Sequence, residues 1–206
     1  NGVASLEIGV PQGASFTPVP PSKDKPIVFY GTSITQGAVA SRPGMAYTNI
    51  LGRRLDMPVV NLGFSGAGKM EPALARLLAE IDAAVYVLDA FPNMDAGLIT
   101  SNFYNFVKIL RAARPDTPII VVEDRQYANT DYQPARRSHH DSTRQVIRWV
   151  YQRLVTEGVE NLYFVSRENL FGDDFEATVD GSHPTDLGMV RYSDILEPVI
   201  REALGF

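Results

Sequence analysis

The sequence predicts a three-layer α/β/α domain built on a five-stranded parallel sheet. Two patterns carry that expectation: five short apolar runs rich in branched and aromatic residues, and helical patterns lying between them. Strands that alternate with helices need right-handed crossovers, which put helices on both faces of a parallel sheet. Composition agrees. The 206 residues are 45% hydrophobic and 21% charged, ordinary for one globular domain with a full core.

Residues 1–26 hold five prolines (Pro11, Pro18, Pro20, Pro21 and Pro26) and show no helical period. Val3 to Ile8 is expected to pair as an edge strand, and Pro18 to Pro26 to form a stiff linker. The stretch reads as a tail draped over a domain of residues 27–206. The chain starts at Asn1 with no charged-then-apolar leader, so the tail is expected to be the joint to a removed leader or accessory domain.

The strand runs are 26–30, 58–62, 83–90, 118–123 and 161–165. Their continuous Val, Ile, Leu and aromatic content suits strands buried on both faces. Helices are expected at 45–56, 71–81, about 98–113, about 139–157 and about 186–204. In the second, Leu74, Leu77, Leu78 and Ile81 form one apolar stripe. Glu71 and Pro72 suit its N-terminal end.

Charge and residue usage exclude several function classes. Nineteen basic against 24 acidic side chains give a net charge of −5, and no Lys/Arg run marks a nucleic-acid or anionic-membrane partner. No stretch approaches the ~18 consecutive apolar residues of a membrane span. The absence of cysteine removes disulfides, thiolate metal sites and cysteine nucleophiles together, so neither a metal nor another cofactor is expected.

Ligands of open parallel sheets gather at the carboxyl ends of the strands. The first strand delivers Gly31-Thr32-Ser33-Ile34-Thr35, and the second Gly63-Phe64-Ser65-Gly66-Ala67-Gly68-Lys69. The third delivers Asp89 and then Pro92-Asn93-Met94, the fourth Asp124-Arg125-Gln126-Tyr127. After the fifth, a loop brings Asp180-Gly181-Ser182-His183. A serine hydroxyl needs a base to take its proton, and His183 is the one histidine at a strand tip. Asp180, three residues earlier, is placed to accept the Nδ1 proton and leave Nε2 for Ser33. The N–H of Ser33, the N–H of Gly66 and the Asn93 amide are the candidate donors for a developing oxyanion.

These residues resemble the SGNH hydrolases, also called GDSL-like esterases, whose four blocks appear in order across residues 26–204. Thr32 stands where the family usually has Asp, and the third block lacks the usual Gly-x-Asn-Asp. The resemblance implies a flavodoxin-like SGNH hydrolase fold, with Ser33, Asp180 and His183 as the triad. Phe29 to Gly37, Ser41 to Met45 and Val179 to Asp186 are similar to a branch of bacterial secreted hydrolases, some with a β-sandwich domain ahead of the catalytic one. That implies a secreted or periplasmic esterase acting on acetyl or short-acyl groups of a small-molecule or oligosaccharide ester, with residues 1–26 as the end of an upstream domain.

Three rivals stand beside this reading. Gly63 to Lys69 satisfies the G-x-x-x-x-G-K pattern of a nucleotide-binding phosphate loop, although Met70 replaces the magnesium-binding Ser or Thr. Gly63-Phe64-Ser65-Gly66-Ala67 approximates G-x-S-x-G, which would make Ser65 the nucleophile. A non-catalytic carbohydrate-binding module with a dead site is the third. Among other residues, Arg125 and Tyr127 are candidates for binding substrate hydroxyls, and Asp89 for holding a neighbouring loop. His139 and His140 read as a solvated helix start, because adjacent residues face different sides of a helix. Trp149 and Tyr151 read as packing residues.

Overall fold

The computed structural model describes residues 4–206. Five strands, β1 (Ile27–Gly31), β2 (Val59–Gly63), β3 (Val85–Asp89), β4 (Ile119–Val122) and β5 (Leu162–Val165), form one parallel sheet in the order β2-β1-β3-β4-β5. The helices are α1 (Ser33–Gln36), α2 (Tyr47–Leu55), α3 (Pro72–Ala79), α4 (Ala96–Leu98), α5 (Tyr104–Ala113), α6 (Pro134–Thr156) and α7 (Asp186–Leu204). A π-helical turn over Ile99–Phe103 joins α4 to α5, so one continuous helical segment fills the span expected at about 98–113.

Alternation along each strand sends side chains to two cores. From β1, Val28 and Tyr30 join Tyr86, Leu88 and Val121 beneath Leu78 of α3, Phe106 of α5 and Ile147 of α6. Ile27 and Phe29 join Val85, Val87 and Ile120 beneath Leu51 of α2 and Leu196 of α7. This is the three-layer sandwich that the pattern predicts. The outer strands depart from expectation. β1, β3 and β4 are buried throughout, whereas β2 and β5 are mostly half-buried, because an edge strand has a neighbour on one side only.

Other boundaries shift for local reasons. α6 starts at Pro134, before the expected 139, because proline suits the first turn of a helix. α1 is a helix that hydrophobic period cannot show, since it has four residues. Thr32 caps it, accepting the Ile34 N–H at 3.2 Å while the Thr35 hydroxyl accepts the Thr32 N–H at 3.3 Å. Gly37, at φ 78°, then ends it.

The edge strand expected at Val3 to Ile8 is not formed over residues 4–8, and Val3 lies outside the described residues. Residues 4–24 run exposed without helix or strand. Among the described residues no helix is long and apolar enough to cross a membrane.

Candidate active site

The carboxyl ends of β1, β2 and β3 converge because three glycines allow it. A Cβ on Gly31 would lie 2.0 Å from Thr35 Oγ1. One on Gly63 would lie 2.2 Å from the Gln36 nitrogen, and one on Gly68 2.3 Å from the Gly31 oxygen. Only hydrogen fits at these contacts, so α1 sits directly on the β2 turn. Asn61 ties the two together: its Nδ2 donates to the Thr35 carbonyl at 2.7 Å and to Thr48 Oγ1 at 2.9 Å, while its Oδ1 accepts the Gly63 N–H at 3.0 Å.

Below α1 lies a buried polar knot. Asp89, at the end of β3, accepts the Tyr47 hydroxyl at 2.8 Å, the Tyr192 hydroxyl at 2.9 Å and the Thr35 hydroxyl at 3.1 Å. Complete burial pushes its carboxyl up to about 6, although the three hydroxyls and the Arg125 charge pull the other way. Asp89 therefore holds the loop after β1, as its position suggested. Thr35, Tyr47 and Tyr192 are parts of this support that sequence reasoning missed, because hydroxyls from α1, α2 and α7 meet only through the fold.

Ser33 is the first residue of α1 and is 8% exposed. Its Oγ lies 2.9 Å from His183 Nε2, and His183 Nδ1 lies 2.7 Å from Asp180 Oδ2. The other carboxylate oxygen of Asp180 accepts the N–H groups of Ser182 at 2.8 Å and His183 at 2.7 Å. Partial burial raises the Asp180 carboxyl, but the His183 N–H, its ring and the Ser182 N–H outweigh that and bring it to about 2. Asp180 is thus a carboxylate at any ordinary pH, which fixes a proton on Nδ1 and leaves the Nε2 lone pair facing the Ser33 hydroxyl.

Gly66 takes φ 69° with open space where a side chain would be, so its backbone and not its packing demands glycine. Asn93 sits in a short 3-10 turn, Phe91–Asn93. Its Nδ2 donates to the Phe64 and Gly68 carbonyls, each at 3.3 Å, which places the amide against the same turn. The N–H of Ser33, at the start of a helix, has no acceptor within that helix. Ser33, Gly66 and Asn93 therefore lie on the tips of β1, β2 and β3, neighbours in the sheet.

Other expectations change. Arg125 is 3% exposed and spends its guanidinium inside the protein, Nη1 on Asp124 Oδ1 and Nη2 on the Ser182 hydroxyl. It supports the Asp180–His183 turn from behind, and its Nε alone is left without a partner. Tyr127 lies against two guanidinium groups, 4.4 Å from that of Arg125 and 4.6 Å from that of Arg136. His139 is exposed as expected, but His140 is 2% exposed, with Nδ1 3.1 Å from Asp124 Oδ2. A single position on the helix separates a solvated ring from a buried one. Tyr151 packs on Phe164 and donates to the Leu162 carbonyl at 2.9 Å, whereas Trp149 is exposed rather than packed.

The turn after β2 does not form a phosphate cradle. Phe64 N–H donates to the Gly31 carbonyl, Ala67 and Gly68 donate to the Phe64 carbonyl, and Lys69 N–H donates to Glu71. Those donors are spent, and α3 starts only at Pro72. Ser65 is exposed, and the imidazole that could activate it is bonded to Ser33. Among the described residues no group of three or more His, Asp or Glu side chains is placed to hold a metal ion.

The C-terminal rim of the parallel sheet thus carries a hydroxyl, an imidazole and a carboxylate in one hydrogen-bonded line, an arrangement in which a base can take the proton of a serine. The chain belongs to the GDSL-like lipase/acylhydrolase family, whose model matches residues 24–201. It is similar to a GDSL-like lipase from Bacteroides ovatus, with 41% identity, TM-score 0.85, and 88% of this chain covering 54% of that one. It shares the fold of the salicylyl-acyltransferase SsfX3 from a tetracycline biosynthetic pathway (22% identity, TM-score 0.77, 90% of this chain and 56% of that one). It also shares the fold of a family two carbohydrate esterase from Clostridium thermocellum in complex with cellohexaose (18% identity, TM-score 0.70, 92% and 67%). The chain thus spans about half the length of the first two of these structures. No curated protein matches it.

Proposed function

We propose that the protein hydrolyses acetyl or short-acyl esters of a carbohydrate through an acyl-enzyme on Ser33. One observation carries the mechanism: the unbroken line from Ser33 Oγ to His183 Nε2 at 2.9 Å and from Nδ1 to Asp180 at 2.7 Å. Ser33 Oγ attacks the ester carbonyl as its proton passes to His183 Nε2. The carbonyl oxygen takes the negative charge, facing the Ser33 and Gly66 N–H groups and the Asn93 amide. The tetrahedral adduct collapses, and the leaving alkoxide takes the proton from His183. Water, deprotonated by the same imidazole, then attacks the acyl-serine and returns a carboxylic acid and free Ser33. Asp180 stays ionised and holds the imidazole in the required tautomer throughout.

The sugar part of the reading is supported by the cellohexaose-bound esterase that shares this fold. The short acyl group follows from the absence of a long apolar segment beside the site blocks to cover a fatty chain. Incubation with a fluorophosphonate followed by peptide mass mapping tests the nucleophile. Adduct on Ser33 is the expected result, and adduct on Ser65 overturns the assignment.

A further inference from the structure

A cavity of about 440 Å³ lies between the loops that follow β4 and β5, on the same rim as Ser33. That falls within the roughly 300–1,000 Å³ of small-ligand pockets. Its wall includes Ala177 and Thr178, and this segment leads straight into the Asp180–His183 turn. Thr178 bridges Pro184, and the Val179 N–H donates to the His183 carbonyl at 3.0 Å. The cavity and the imidazole are therefore two sides of one short stretch of chain.

We infer that this cavity is the subsite for a neutral sugar unit of the substrate, with Phe175 as its stacking face, a reading that rests on the carbohydrate ester proposed above. Three guanidinium groups line it, those of Arg125, Arg144 and Arg167. Each already faces a carboxylate: Arg125 that of Asp124, Arg144 those of Glu123 and Glu168, and Arg167 that of Asp141. Glu168 and Asp173 stand in the same wall, so the lining offers hydroxyl groups both directed donors and acceptors.

The aromatic side is built just as deliberately. Phe175 is 65% exposed at the cavity and takes φ 63°, a conformation that bulky residues rarely adopt. Such strain persists only where the surroundings impose it. Just before Phe175, Arg191 ties the turn down, donating to the Phe171 carbonyl at 2.8 Å and to both oxygens of Asp174 at 2.6 Å. An exposed ring on a tethered turn beside polar groups matches the two faces of a pyranose, apolar C–H on one side and hydroxyls around the edge.

Calorimetric titration of the Ser33→Ala protein, which binds without turnover, tests this with manno-, xylo- and cello-oligosaccharides in acetylated and unacetylated form. At least one series is expected to bind, and adding Phe175→Ala is expected to weaken it at least roughly tenfold, with Phe175→Trp restoring it. Binding that ignores Phe175, or no binding by any series, overturns the subsite. Hydrolysis of p-nitrophenyl acetate by the unaltered protein is measured alongside. Hydrolysis without glycan binding rejects the subsite and spares the esterase reading, whereas Phe175-dependent glycan binding without hydrolysis supports the subsite and rejects the esterase reading.

Discussion

Arg125, buried at the end of β4, donates to the hydroxyl of Ser182, the residue directly before His183. The contact links the turn that carries two of the three site groups to the centre of the sheet. Behind Arg125, Asp124 accepts from the arginine and from His140, so α6 joins the same chain of contacts. Both partners are buried, where geometry is held more firmly than at an exposed ion pair.

Ser182→Ala removes that anchor and nothing larger. Because a misplacement of about 1 Å can cost roughly 100-fold in rate, kcat for p-nitrophenyl acetate is expected to fall roughly tenfold or more with KM little changed. Arg125→Ala also strands the buried Asp124 charge, which costs about 3–5 kcal/mol of stability. Urea unfolding checks the second effect, and steady-state kinetics the first.

Asp89 predicts a dependence of stability on pH. Its carboxyl is raised in the folded state to about 6, so the favourable contribution is complete below the unfolded value of ~3.9 and is lost as pH rises through about 6. Relative to Asp89→Asn, the unaltered protein should lose about 2–3 kcal/mol between pH 4 and pH 7. Chemical unfolding of both at several pH values reads the slope. A difference that stays constant across that range contradicts a carboxyl raised by burial at Asp89.

Asp180 has the opposite sign. Held at about 2, it keeps its charge as pH falls, and any stability it lends is complete above the unfolded value of ~3.9 and is lost as pH falls from there through about 2. The acid limb of kcat/KM should therefore show no step from Asp180 above pH 3. Asp180→Asn leaves the imidazole free to turn or to take the wrong tautomer, and kcat is expected to drop by roughly 10²–10⁴.

Two glycines of one turn should respond differently. A methyl group on Gly68 meets the Gly31 carbonyl at 2.3 Å, so Gly68→Ala displaces the turn and lowers the melting temperature. Gly66→Ala meets nothing, and its cost is the left-handed backbone, about 1 kcal/mol. Thermal unfolding separates them. Loss of kcat in Gly66→Ala at near-normal stability would place the oxyanion donors in this turn.

Asn93 is tested by Asn93→Ala. Loss of one oxyanion donor typically costs about 2.7–4 kcal/mol of barrier, or roughly 10²–10³ in kcat. An unchanged kcat assigns the amide to holding the Phe64 and Gly68 carbonyls only.

The layers, the strand order of appearance and the line Ser33–His183–Asp180 were legible in the sequence, because hydrophobic period marks the elements and strand tips mark the rim. The supports were not. Nothing in the order of residues says that Tyr47 and Tyr192 meet at Asp89, 42 and 103 positions away. Arg125 illustrates the limit: an arginine after a strand reads as a substrate contact until burial shows it facing inward. His140 does the same for helix α6, where the choice between its ring and that of His139 depends on how the helix is rotated against β4.

The proposed activation of Ser33 by His183 for attack on an ester has a direct test. Hydrolysis of p-nitrophenyl acetate by the unaltered protein and by folded Ser33→Ala measures it directly. Turnover is expected in the first and a loss of roughly 10³-fold or more in the second. Equal rates, or loss in Ser65→Ala alone, would contradict it.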